Sequence, residues 1–354
     1  MIIGRISAGL LSALALTTTI TAVPAAAVAP QAPVSRYAHD LGIAPRLQWN
    51  SNYGYCGETS FISAGMHFGQ YTSQWTARSA ASPGVPQTEE ESQLLIGVND
   101  IEAAEAMRLQ AVAFDSESQR STRPYLTWVK SMVLRGFPVI IGVFVNMSEF
   151  DDALGGESEY DHIVPVLGVG SQSPLSRTDR TYRATDVISF SDNALDGNTS
   201  PNSAVFRYRF NAFQKSRSQA NDPDGAPYSL RNRPMNYATA VTGVMDPDRV
   251  TIPVRLTSSA DGEGVQDGDR LVAPPAPRPI DLTATVTIPD SSIGYTVYLY
   301  DDFAKVPVRN FNASAPNALQ SWAVAPGSGT SWSKTIGIMS DQTRVFRAVP
   351  NSAP

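Results

Sequence analysis

Leu47-Gln48-Trp49-Asn50-Ser51-Asn52-Tyr53-Gly54-Tyr55-Cys56-Gly57-Glu58-Thr59-Ser60-Phe61-Ile62 is the stretch on which the reading of this chain turns. Its first half is polar and contains a glycine, the composition of a loop. From Cys56 onward Phe61, Ile62, Gly65 and Phe68 recur at helical spacing, which predicts a helix from Cys56 to about Gln70. Cys56 then stands at or just before the first turn. There the leading backbone N–H groups have no partner within the helix, and the helix dipole favours negative charge. Both stabilise a thiolate over a thiol, and a nearby imidazolium adds to the effect. The thiolate is the nucleophilic form.

Cys56 is also the only cysteine in the chain. The fold therefore has no internal disulfide and rests on its core. A lone buried cysteine acting as a small hydrophobe is the plain alternative, and the helix-start position is what favours chemistry. A base is needed, and the chain offers three histidines. His67 lies on the same predicted helix, about 16 Å from Cys56 at 1.5 Å per residue, which is too far for a proton transfer. His39 falls in the leader upstream. His162 remains, at the entrance of the apolar run Ile163 to Val169, where a strand end mounts it rigidly. The base needs an orienter for its second ring nitrogen. Asp192 follows the strand that ends at Ser191, Asn193 is the alternative, and Asp196 is a third choice. For the developing oxyanion, Gln48, Asn50 and Asn52 compete as side-chain donors beside the Cys56 N–H.

Outward from this stretch, helical tracts are predicted around Arg36 to Leu41, from Thr88 to Leu95 and from Asn99 to Leu109. A further helix is capped by Ser121 or Thr122, carries Pro124 in its first turn and is ended by Gly136. Val139 to Val145, Ile163 to Val169 and Asp186 to Ser191 read as strands, the first as a buried one. Helices followed by strands predict an α+β class, with helices packed on a largely antiparallel sheet. After about Asp248 the composition shifts. Thr251 to Leu256, Asp281 to Ile288, Tyr295 to Tyr300, Ser331 to Ile338 and Arg344 to Val349 read as strands of a small all-β, sandwich-like region, with a Pro-rich segment at 273–279. The expected division is a signal peptide at 1–27, a leader at 28–44, a catalytic domain at 45–248 and the β-rich domain at 249–354. No candidate site residue lies beyond Asp248, so the β-rich part is expected to be separable from the chemistry.

Tyr55-Cys56-Gly57-Glu58 at a helix start, the strand Gly136-Phe-Pro-Val-Ile-Ile-Gly-Val143, Tyr160-Asp161-His162-Ile-Val-Pro-Val-Leu-Gly168 and Ser189-Phe-Ser-Asp192 together resemble the papain-like cysteine peptidase superfamily, closest to its C39-like branch. The resemblance covers about residues 45 to 200. It implies a papain-like helical part packed on an antiparallel sheet, with Cys56 on the central helix, His162 and Asp192 on the sheet, and thiol acyl-transfer chemistry. The family places an oxyanion amide, usually Gln, six residues before the cysteine. Here that position holds Asn50, with Gln48 two positions off. The Cys-Gly-Ser-Cys-Trp run of papain proper is absent, so papain's substrate preferences do not transfer.

The remaining features bound the function. A short start with Arg5, an apolar run centred on Leu10 to Leu16 and the small residues Ala25 to Ala29 form a secretory signal, which predicts an extracellular or periplasmic protein with no membrane span after processing. A net charge of −6 without a basic run argues against nucleic acid. The acidic stretch 261–269 lacks the EF-hand spacing, and one Cys with three scattered His does not make a zinc site, so neither metal nor cofactor is expected. The expected activity is hydrolysis of amide bonds in a protein or peptide substrate through an acyl-thioester on Cys56. An acyltransferase of transglutaminase type would use the same residues with an amine as acceptor. A non-catalytic surface or binding protein on the same shell is the third reading, and in any of these the C-terminal β region is available to bind substrate or a surface.

Overall fold

The computed structural model describes residues 34–119, 121–145, 160–193, 205–213, 228–230, 236–259 and 270–351. The expected signal at 1–27, Asp196 and the acidic stretch 261–269 lie outside the described residues. The class is α+β, with few helices and several sheets, and every described strand pairing is antiparallel.

Among the described residues the largest sheet has eight strands. Leu109–Ala113 (β3), Ala238–Val244 (β9), Val139–Val145 (β4), His162–Ser171 (β5), Val187–Ser191 (β6) and Val205–Arg209 (β7) lie side by side in that order. Tyr37–Asp40 (β1) pairs with the second half of β5, and Tyr228–Ser229 (β8) pairs with the end of β4. The unbroken apolar runs of β4 and β5 are explained by cover on both faces. Ile140 and Ile163 join the cluster around Phe61 and Ile62 of the helix Cys56–Met66 (α1). Val139, Ile141, Val143, Val164 and Val166 face the other way, into the cluster of Tyr125, Leu126, Val129 and Val133 on the helix Thr122–Leu134 (α4). A strand buried on both faces needs no polar alternation.

Helix α1 is enclosed rather than amphipathic, and every residue from Gly57 to Met66 is buried. It stops four residues short of the expected end, where Gly69 takes a φ of 76° and Gln70–Tyr71 (β2) begins. Three further expectations are corrected. Residues 37–40 form strand β1 instead of a helical turn, because β5 offers them the unpaired backbone of Gly168 to Ser171. Thr88 to Leu95 holds only a 3-10 turn at Glu90–Ser92. Glu58 takes the Leu94 N–H at 3.1 Å and Asn99 takes that of Leu95 at 2.9 Å, so these amides are not free to build a helix. The third tract is helical only over Asp100–Ala106 (α3), and Arg108, with a φ of 60°, turns the chain into β3. The helix Gln74–Ala81 (α2), capped by Ser73 accepting from the Thr76 N–H at 3.0 Å, has no counterpart in the sequence reading.

Beyond Asp248, Val254–Ser258 (β10), Pro279–Thr287 (β11) and Ser331–Met339 (β14) form a three-stranded sheet. Gln320–Val324 (β13), Tyr295–Tyr300 (β12), Arg344–Pro350 (β15) and β2 form a four-stranded one. The fourth strand comes from the N-terminal half: β2 pairs with β15 through Gln70–Val345 and Tyr71–Arg344. Buried Arg347 donates to Gln70 Oε1 at 2.8 Å and to Phe68 O at 3.2 Å. Phe61, Met66 and Tyr71 belong to the same apolar cluster as Leu282, Val297 and Phe346, so the two halves share one core.

Candidate active site

Cys56 is the first residue of α1 and is partly exposed. Its neighbour Gly57 is required by the approach of α1 to the chain at Leu94: a Cβ on Gly57 would lie 1.9 Å from Leu94 O. The start of α1 lies against the start of β5, where Ser60 Oγ donates to Ile163 O at 3.3 Å. Cys56 and His162 are brought together in this way. His162 opens β5 opposite Val143 of β4. Asp192 follows β6, and because β5 and β6 run antiparallel, the start of one lies beside the end of the other.

His162 Nε2 is 3.0 Å from Asp192 Oδ1, with His162 7 % exposed and Asp192 fully buried. A carboxylate only accepts, so Nε2 carries the proton. Burial by itself would push the imidazole pKa down. The hydrogen bond and negative charge of Asp192, together with the neighbouring Cys56, outweigh it, and the ring is pushed up to about 10. Tyr228 supports the pair: its hydroxyl donates to Asp192 Oδ2, and its ring stacks on the imidazole with centroids 6.4 Å apart. No periodic or motif signal marks Tyr228 in the sequence. It reaches the site because β8 pairs with the end of β4.

Asn193 has a different environment from its neighbour. Its Nδ2 lies 3.2 Å from Cys56 O, 3.2 Å from Ser60 Oγ and 3.3 Å from Ile163 O, so it holds α1 to β5 and does not face the imidazole. His67 caps the far end of α1, with Nε2 3.0 Å from Gly136 O. His39 sits opposite Val169, seven residues along β5 from His162 and about 23 Å away at strand rise.

The oxyanion candidates separate by burial. Asn50 is exposed, and its Oδ1 lies 3.4 Å from Gln48 Nε2. Gln48 is buried, and its amide packs against Gly54, where an added Cβ would lie 3.5 Å from Nε2. Its Oε1 has no hydrogen-bond partner, and its backbone N–H donates to Asn193 O at 2.7 Å. Asn52 turns its side chain away, to the backbone of Leu271. Tyr160 also lies near Cys56, and its hydroxyl donates to Ile96 O at 2.8 Å. Burial and then the neighbouring Cys56 push its pKa up.

Arg78 carries no signal in the sequence, and Glu58 stands out there only within the Tyr55–Glu58 motif. Both are buried, with Nε and Oε1 2.6 Å apart, directly beneath the loop that leads into Cys56. Among the described residues no group of three or more His, Cys, Asp or Glu is placed to hold a metal ion. No helix among them is long and apolar enough to cross a membrane. Comparison with protein-family models, curated proteins and solved structures returns no match.

Proposed function

We propose that this chain is a secreted thiol acyl-transfer enzyme with a papain-like catalytic part, a hydrolase of amide bonds in protein or peptide substrates. The observation that carries the reading is the buried His162–Asp192 pair at 3.0 Å, whose imidazole has the Cys56 thiol of a helix start as its other neighbour. In this reaction the Cys56 thiolate attacks the substrate carbonyl and its electron pair forms the C–S bond. The carbonyl π pair moves to oxygen, where the Cys56 N–H and the Gln48 amide are the available donors. Collapse expels the amine, which takes a proton from His162. Nδ1 is the nitrogen for that transfer, since Nε2 is engaged by Asp192. Water, deprotonated by His162, then attacks the thioester, releases the acid and regenerates the thiolate.

Mass spectrometry of the whole chain after treatment with an activated acyl ester tests this. The expected result is one acyl adduct, on Cys56, that decays in water and is lost in His162→Ala. An adduct that persists would point to a non-catalytic protein. Faster decay in the presence of a primary amine, with the acyl group recovered on that amine, would mark an acyltransferase.

A further inference from the structure

The loop that enters Cys56 has an unusual backbone. Asn52, Tyr53 and Gly54 follow one another with φ of 52°, 66° and 85°. Glycine enters this left-handed region freely and asparagine tolerates it, whereas an aromatic residue there is uncommon. The side chain of Tyr53 is not what holds it, since that residue is 64 % exposed.

The hold comes from two other places. From inside, Arg78 of α2 donates Nη1 to Asn52 O at 2.8 Å and Nη2 to Gly54 O. Its Nε donates to Glu58 Oε1 at 2.6 Å, and its guanidinium carbon lies 3.6 Å from the centre of the Tyr55 ring. One planar group thus spans the left-handed turn and the first turn of α1, a geometry that the point charge of a lysine does not reproduce. From outside, Asn52 pairs both ways with the segment that leads into β11. Its Nδ2 donates to Leu271 O at 2.9 Å and its Oδ1 accepts from Leu271 N at 2.9 Å. Stability alone is a weak reason for burying the ion pair, because desolvation offsets most of the attraction. Fixing the shape of the turn is what this pair does beyond that.

We propose that Arg78 and Asn52 are positioning residues for the acyl-transfer step. Arg78 orients the Asn52–Tyr55 turn so that the Cys56 N–H and the Gln48 amide packed on Gly54 converge on the developing oxyanion. Asn52 makes that convergence depend on the C-terminal segment through Leu271. This inference rests on Cys56 being the nucleophile.

Two reactions of the same thiol separate orientation from reactivity. With p-nitrophenyl acetate, the thiolate forms a C–S bond to the carbonyl carbon, an oxyanion develops, and p-nitrophenolate leaves. With iodoacetamide, the thiolate displaces iodide and no oxyanion forms. Both rate constants are to be measured on the full chain for the parent, Arg78→Lys and Asn52→Gly. The acylation-to-alkylation ratio is expected to fall about 10²-fold in Arg78→Lys, the usual loss when catalytic donors are displaced by about 1 Å. In Asn52→Gly, where glycine accepts the local φ and the fold is kept, the ratio is expected to fall about tenfold. Should Arg78→Lys not fold, Asn52→Gly decides. Rates that change in parallel, or do not change, in a folded variant overturn the proposal. A parent chain that is not acylated at all overturns the nucleophile reading and this inference together, whereas an acylated parent with unchanged variant ratios overturns the inference alone.

Discussion

His162 Nε2 and Asp192 Oδ1 lie 3.0 Å apart at the meeting of two antiparallel strands, and the second oxygen of the same carboxylate accepts from Tyr228. The hydrogen bond and negative charge of Asp192 raise the imidazole pKa against the opposing effect of burial. The sign of the pH dependence follows. The folded-state pKa of His162, about 10, stands above the ~6.5 of an unperturbed histidine. Its contribution to stability is complete below pH ~6.5 and is lost as the pH rises through about 10. Denaturant unfolding of the parent and of Asp192→Asn across this range is expected to show a gap that is wide at neutral pH and closes above pH 10. A gap that widens with pH would contradict the assignment.

The thiol of Cys56 is the only one in the chain, so labelling reads it without interference. Iodoacetamide is expected to alkylate it in the folded protein at neutral pH, and His162→Ala is expected to slow the reaction about tenfold or more by removing the neighbouring cation. Labelling that occurs only after unfolding would mean that Cys56 is a core residue.

Asp192 and Asn193 are adjacent but are expected to fail differently. Asp192→Ala should cut acyl transfer by ~10³ to 10⁴, since the imidazole loses its orienter, and Asp192→Asn should retain more, because the amide oxygen still accepts. Asn193→Ala instead strips partners from Cys56 O and Ile163 O, so it should lower stability by about 1–3 kcal/mol with acylation per folded molecule retained. An Asn193→Ala protein of parental stability but without reactivity would shift the orienter by one position.

Gly57→Ala is expected to be among the most harmful small substitutions in the chain. The added methyl would meet backbone at Leu94 O, which cannot rotate away, so a loss of ~3 kcal/mol or more is expected in denaturant unfolding. A neutral result would mean that α1 can slide along Leu94.

A chain ending at Asp248 is expected to be insoluble or to lose Cys56 reactivity. It would uncover Phe61, Met66 and Tyr71, leave β2 unpaired and remove the Leu271 backbone that holds Asn52. A soluble, reactive truncation would show that the shared core is dispensable to the site.

Much of the framework is legible in local pattern. The helix start at Cys56, the Ser121-to-Gly136 helix and the runs of β4 and β5 have short-range signals: spacing, caps and unbroken apolar stretches. Other parts had none. Residues 88–95 carry a helix-like composition, but side-chain acceptors take their amides, one of them, Glu58, 36 positions away along the chain. Residues 37–40 are a strand only because β5 has an open edge. β2 is two residues long, too short for any periodicity.

The sequence by itself determined which residues are candidates for chemistry: one thiol at a helix start, one histidine at a strand entrance, and an Asp-Asn pair after a later strand. Rise per residue excludes His67 from a proton transfer with Cys56, whereas the place of His39 is fixed only by the pairing of β1 with β5. Tertiary structure alone decided that Asp192 and not Asn193 faces the imidazole, that Tyr228 backs the carboxylate, that Gln48 rather than Asn50 is buried against the loop leading into Cys56, and that Arg78 lies under it. The physical reason is that neighbours in sequence leave a strand end in opposite directions, and which of them turns inward is set by strand register and by the partners waiting there, separated from them by 30 to 137 positions along the chain.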